Sequence, residues 1–443
     1  MQGSDGAPRK PRPPRRIAGL GGFTGIAVMA VLALVTAACS SGPSPAQVKA
    51  SAKAKASAAA AEVKITPANG SQDADPSKGI TVTATHGTLK NVAVHTSGGT
   101  VTGHLSQGGK VWQSDWTLGT GQSYTVKATA AHTTDGTITT SSTFRTLTPG
   151  RTFQTEIFEG YQQTYGVGMP IMLTFSEPIT NRAAVERSLQ ITSSKPVDGA
   201  WYWDGNEHLD FRPQNYWPAN TQVSFTGHLA GVEGADGVYA TSDLTQSFTI
   251  GSSVIAVAST TSHRTQIYVG GSLKYNWPIS TGKASTATPN GTYLTIEKHN
   301  PVRMVGGGPK GSPGYYNELV PWSVRFTFSG DYYHDAPWSV SQQGSSNVSH
   351  GCVNLSPADA QTYYNLAVPG DPITITGSTK AGKWDDGWTE WFLPWSQFVK
   401  GSALHMAVKA GPTGSTFVSP SALPASTGSS PVQAPPPDNW QSA

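Results

Sequence analysis

The chain has 443 residues, enough for two to four domains at roughly 100–200 residues each, and carries a formal charge of +3 with only 13% charged residues. Removing residues 1–38 takes away five Lys/Arg and one Asp, leaving 25 basic against 26 acidic residues, so a nucleic-acid partner has no electrostatic footprint. With 49 Gly and 32 Pro, many turns and short strands are expected rather than helix bundles.

The N-terminus holds Arg9, Lys10, Arg12, Arg15 and Arg16, followed by an uncharged apolar run over residues 17–38. A basic region, an apolar stretch and small residues before a cleavage point spell an export signal. The run ends in Ala37-Ala38-Cys39-Ser40, a pattern similar to a bacterial lipobox, in which Cys39 is lipidated and becomes the first mature residue. An uncleaved membrane anchor with an incidental Cys39 is the alternative. Both place the body outside the cytoplasmic membrane, held to its outer face and facing the cell wall.

Residues 39–62 are Ala, Ser, Lys and Pro with few large apolar side chains, the composition of a flexible tether. From Val63 the pattern changes to alternation, in runs at 80–84, 92–94 and 124–126 separated by Gly/Ser/Asn turns. A second series of strand-length runs follows, at 169–179, 209–213 and 248–250. These predict two Ig-like β-sandwiches in series, at 63–150 and 151–251. Within the second, Trp201, Trp203 and His208 could line a carbohydrate surface, although aromatics packed in the sandwich are the commoner reason for such residues.

A third, β-rich module is expected over 252–378. Its strands fall at 254–258, 266–269 (before the turn Gly270-Gly271), 324–328 and 372–376. Its one short helix runs from 357 to about 366: Ser356 can cap it, Pro357 suits its first position and Asp359 lies in the first turn. Residues 379–410, with Trp384, Trp388, Trp391 and Trp395, form a C-terminal subdomain that should pack back on the core. The tail from 411 to 443 is rich in Pro, Ser, Thr and Ala and is expected to be disordered. The fold class is thus mainly β.

Cys352 is the one thiol left once Cys39 is set aside, so it has no disulfide partner, and His334 and His350 are near it in sequence. A lone cysteine beside histidines suits a nucleophile, because an imidazole can take the thiol proton or stabilise the thiolate. His350 shares a strand face with Cys352 without pointing at it, whereas His334 comes from a separate segment that folding can aim at the sulfur. His334 is therefore the favoured base, with His350 as a structural or positioning group. Gly351 gives the backbone latitude to offer amide N–H groups to an oxyanion. A buried inert cysteine and a metal site remain open, although His263, His299, His334 and His350 lack close ligand spacing.

The segments 334–339 (His-Asp-Ala-Pro-Trp-Ser), 342–348 and 349–357 (Ser-His-Gly-Cys-Val-Asn-Leu-Ser-Pro) resemble the active-site block of the L,D-transpeptidases, and more narrowly the actinobacterial lipoproteins that set Ig-like modules before the catalytic domain. The resemblance extends to the turn at Thr288-Pro289-Asn290-Gly291 and covers nearly all of residues 39–410. It implies a cofactor- and metal-free enzyme in which Cys352 is the nucleophile and His334 the proton acceptor, with His350 and Gly351 part of the motif. It also implies substrate contacts from Tyr316, Asp335, Ser349 and Asn354. Tyr316 falls where relatives carry a tyrosine near the oxyanion. Asp335 stands where close relatives often have serine; its backbone carbonyl would orient the imidazole, or its carboxylate would raise the basicity of His334. The implied partners are peptidoglycan stem peptides, a donor tetrapeptide and an acceptor, with carbapenems as inhibitors. A hydrolytic L,D-carboxypeptidase and a non-catalytic wall-binding spacer are the alternatives.

Overall fold

The computed structural model describes residues 62–132 and 136–424. The expected export segment, Cys39 and nearly all of the tether lie outside them, as does the tail beyond 424. The chain is mainly β, with 47% strand and 11% helix. Among the described residues no helix is long and apolar enough to cross a membrane.

The alternation from Val63 onward builds two four-stranded sheets. One contains Glu62–Thr66, Thr81–Thr85, Val111–Ser114 and Gly103–Ser106; the other contains Gly99–Thr100, Gly87–Thr96, Ser123–His132 and Thr137–Arg145. Every second residue turns inward, so Val82, Ala84, Val94, Trp112, Tyr124, Val126 and Phe144 meet in one core. This sandwich abuts the next through residues 116–118. Trp116 stacks on His228 at 3.7 Å between ring centroids, and Thr117 Oγ1 donates to the Ala230 carbonyl at 2.7 Å. Gly231 has φ +80°, and a Cβ there would lie 1.7 Å from the Leu118 carbonyl oxygen, so the contact needs glycine.

The second module has a larger sheet than its own strands can supply. Thr155–Ile157, Ile171–Phe175, His208–Pro213 and Val197–Asp204 form one half; Leu189–Ser193, Thr221–Gly227, Leu244–Ile250 and Thr164–Tyr165 form the other. The strand Ala407–Gly411, from the far end of the chain, lies between the halves. It pairs antiparallel with Val197–Asp204 and touches Leu189–Ser193 at Thr192. It continues as a hairpin into Gly414–Val418. The expectation of disorder from 411 is thus corrected for 411–418: Thr416, Phe417 and Val418 are strand formers that the Pro/Ser-rich average hides. Trp201 and Trp203, 1% and 5% exposed, pack against Phe211 and Phe175 and are unavailable to a carbohydrate.

The Trp-rich segment packs mainly on this second module. Trp388 and Trp391 join its core, while Phe392 enters the core of the third. Glu186, fully buried, accepts from Trp203 Nε1 at 2.7 Å and from the Ser402 hydroxyl at 2.6 Å. Arg212, also fully buried, donates to the Leu393 carbonyl at 2.8 Å and lies 4.4 Å from the ring centroids of both Trp391 and Phe398.

Beside this seam Glu159 is fully buried, with Oε2 accepting from the Met172 amide and Oε1 unpartnered. Burial pushes its carboxyl from an ordinary 4.5 up to about 8. The folded state therefore holds a proton that the unfolded chain releases near pH 4.5. Its contribution is full below that value and is lost as pH rises toward 8. Glu159→Gln is expected to raise the melting temperature at pH 8 relative to the parent, with a smaller difference at pH 5. Calorimetry at the two pH values checks this, and an equal difference at both would refute it.

The third module holds a five-stranded sheet ordered Ser272–Pro278, Arg264–Val269, Val254–Ser259, Pro372–Thr376, Gly291–Leu294. Gly270 and Gly271 both have positive φ and close the expected tight turn. Packed against this sheet is a second one: Glu297–His299, Ser323–Arg325, Tyr332–Asp335, Val353–Leu355. The helix Pro357–Leu366 starts as predicted, with Ser356 accepting from the Asp359 amide. A separate hairpin, Val302–Gly306 with Tyr316–Val320, stands over one end.

Candidate active site

His334 and Cys352 are brought together by two neighbouring parallel strands. Tyr332–Asp335 carries His334, and Val353–Leu355 begins just after Cys352, with Tyr333 opposite Val353 and His334 opposite Asn354. Both side chains line one cavity of about 500 Å³, walled also by Met304, Tyr316, Glu318, Val320, Trp338, Val348, Ser349, His350 and Asn354.

The loop before Cys352 is fixed by its own polar groups. The Ser349 hydroxyl donates to the Cys352 carbonyl at 2.6 Å and accepts from the Gly351 amide at 3.2 Å, a local side-chain turn. Lys283 N–H and the Thr286 hydroxyl donate to the Ser349 carbonyl, both at 3.0 Å. Thr288, from the expected turn, donates to the Gly351 carbonyl. Gly351 has φ +142°, and a Cβ there would come 2.1 Å from Asp331 Oδ1, so no other residue fits. Its own amide donates to the Ser349 hydroxyl.

The imidazole of His334, 4% exposed, is held by its main chain: Nδ1–H donates to the Asp335 carbonyl at 2.7 Å. That bond fixes the tautomer and leaves Nε2 as a proton acceptor. Burial pushes His334 down to about 4, so it is neutral at pH 7. Burial, and then the charge of Asp331, push the Cys352 thiol up to about 12, against the Tyr332 amide, which favours the thiolate. The resting pair is thus thiol and neutral imidazole. Cys352 is half-buried, the one free cysteine among the described residues, and its sulfur lies 3.9 Å from the Gly330 carbonyl.

The other expected residues divide. Tyr316 lines the cavity, with its ring 5.2 Å from that of His350; burial raises its hydroxyl, which remains a neutral donor. His350 is exposed, and its Nε2 lies 3.3 Å from Lys283 Nζ; burial and then that charge lower it. Asn354, 2% exposed, donates to the Ser339 hydroxyl at 3.0 Å. Asp335 does not line the cavity: its carboxyl is buried, with Oδ1 unpartnered, and burial raises it, while its carbonyl accepts from the imidazole. Asp335→Ser is expected to keep at least a tenth of the parent's activity, and a larger loss in a steady-state assay would show that the side chain matters. The histidines weighed as metal ligands are dispersed, His263 on Asn347 and His299 on Glu297. Sequence reasoning missed Met304, Glu318 and Val320 on the wall, and Asp331 behind Gly351. For Glu318 the signal was the period of two shared with Tyr316 and Val320.

The catalytic-domain model of the L,D-transpeptidases matches residues 253–375, and a bacterial Ig domain model matches 71–233, spanning parts of both sandwiches. L,D-transpeptidase 2 of Mycobacterium tuberculosis is 34% identical over 376 residues, covering 83% of this chain and 91% of that protein.

This chain belongs to the L,D-transpeptidase family.

L,D-transpeptidase 5 of the same species is 33% identical, covering 76% of each chain. Among solved structures, an L,D-transpeptidase in complex with imipenem is 35% identical, covering 52% of this enzyme and all of that chain, with a TM-score of 0.43.

Proposed function

We propose that this L,D-transpeptidase forms 3→3 cross-links in peptidoglycan through a thioester on Cys352. The carbonyl at the L-centre of diaminopimelate, third in a donor tetrapeptide stem, is attacked by the Cys352 sulfur as the thiol proton passes to His334 Nε2. The bond to the terminal D-alanine then breaks, and His334 returns the proton to the leaving amine. The side-chain amine of a second stem attacks the thioester, its proton passes by way of His334 to the sulfur, and the thiol is restored. Tyr316 is the side-chain donor suited to the oxyanion.

The observation that carries this reading is the shared cavity, in which a tautomer-locked neutral His334 accompanies a protonated Cys352. A strained β-lactam carbonyl should acylate the same sulfur. The enzyme would act outside the membrane, lipidated on Cys39, with the two sandwiches as a stalk setting the depth of cross-linking.

Mass spectrometry of the mature chain with a disaccharide-tetrapeptide, beside Cys352→Ala, tests the reading. A 3→3 dimer with loss of D-alanine, absent in the variant, supports it. Tripeptide alone, with water as the acceptor, indicates a carboxypeptidase. Products unchanged in Cys352→Ala would refute the thioester.

A further inference from the structure

The cavity wall carries one group that acylation does not use. Tyr316, Glu318 and Val320 line the cavity from alternate positions of the hairpin strand, as strand geometry requires. The outward face carries Arg303, which bonds Asn317, beside Val305 and Leu319, 57% and 59% exposed. Glu318, itself exposed, stands on the opposite face and lines the cavity.

Glu318 is the one carboxylate-bearing side chain on the wall, and among the described residues it has no ion-pair or hydrogen-bond partner. His334 and His350 face it without positive charge at neutral pH. Asp331, against Gly351 and beside the nucleophile, adds a second acid near the thioester position. Two cations are near, Lys283 at His350 and Lys380 by Asp331, and both stand off the wall. An unpaired acid in a cavity of neutral groups favours a cationic ligand.

We propose that Glu318 is the specificity-determining residue that receives the positively charged side-chain amine of the acceptor stem and holds it over the Cys352 thioester. This rests on the transpeptidase reading above. The surplus proton of the ammonium leaves to water past the exposed carboxylate. The free amine then bonds to the thioester carbon as the C–S bond breaks, and its proton passes by way of His334 to the sulfur. Water carries no charge for Glu318 to recognise, so the residue biases the acyl-enzyme toward cross-linking over hydrolysis.

The test uses the full mature chain with a disaccharide-tetrapeptide donor, varied acceptor stem, and hydroxylamine as a nucleophile that is neutral at pH 7. Rates are normalised to the acylated fraction of Cys352. Glu318→Gln should raise the acceptor KM about three- to tenfold, the range of a partly solvated ion pair, with kcat little changed. Glu318→Lys should raise it further, Glu318→Asp should recover part of the loss, and hydroxamate formation should not follow the series. Equal acceptor KM in parent and Glu318→Gln, or equal losses with acceptor and hydroxylamine, would overturn the proposal while leaving the transpeptidase reading intact. A parent that yields hydroxamate but no dimer overturns both together.

Discussion

Replacing His334 by glutamine is expected to slow acylation of Cys352 by about 10²–10⁴, the usual contribution of a positioned general base. The thiol is pushed up to about 12, so almost no thiolate stands ready at neutral pH. The proton must therefore leave as the sulfur attacks, and His334 Nε2 is the acceptor that the Asp335 carbonyl holds in place. The pH dependence carries the same sign. His334 titrates near 4, so the parent's acylation rate should be nearly flat from pH 6 to 9 and fall as pH drops toward 4, where the imidazole becomes protonated. A thiolate–imidazolium pair would instead give an inflection near neutrality, with the variant losing much less. Stopped-flow acylation by a carbapenem across pH 4–9 separates the two. A strong rise between pH 6 and 8 in the parent would sink the neutral-pair mechanism.

Arg212→Ala should be among the most damaging changes far from the nucleophile, costing about 3–5 kcal/mol, as when one partner of a buried charged pair is removed. The guanidinium sits between Trp391 and Phe398 and bonds the Leu393 carbonyl, so its loss opens a void where the Trp-rich segment meets the second module. Burial lowers Arg212 to about 9, still cationic at neutral pH, and its charge opposes the burial that raises Glu390 to about 7. Above pH 7 the variant lacks the charge that favours Glu390's ionised form; at pH 5 that acid is protonated in either protein. The destabilisation should thus be larger at pH 8 than at pH 5. Chemical denaturation at both values gives the comparison, and a loss under about 1 kcal/mol at pH 8 would mean that the packing relaxes around the missing side chain.

What could be read from the sequence was what short stretches decide among themselves. Ser356, Pro357 and Asp359 announce a helix start. Gly270-Gly271 between alternating runs makes a tight turn whatever surrounds it. The pair Cys352 and His334 could be named because a lone thiol has few alternatives and its motif is specific. Distant partnerships stayed hidden. Nothing in Ala407–Gly411 says that it will lie beside Val197–Asp204, because four small or aliphatic residues around one lysine fit many sheet edges. Asp331 reads as an ordinary loop acid until folding puts it against Gly351.

The strand Ala407–Gly411 also governs the order in which the molecule can be completed. Lys409 bonds Asp198 across 211 positions of sequence, and a chain emerges from its N-terminus first. Through most of synthesis the strands Leu189–Ser193 and Val197–Asp204 wait with two unpaired edges, the feature that invites misassembly between copies. The second module cannot finish before the third has been made, so the pair must close late and together. A nascent chain stopped anywhere before residue 407 would be a clientele for chaperones, and C-terminal truncation should show first as aggregation and only then as lost catalysis.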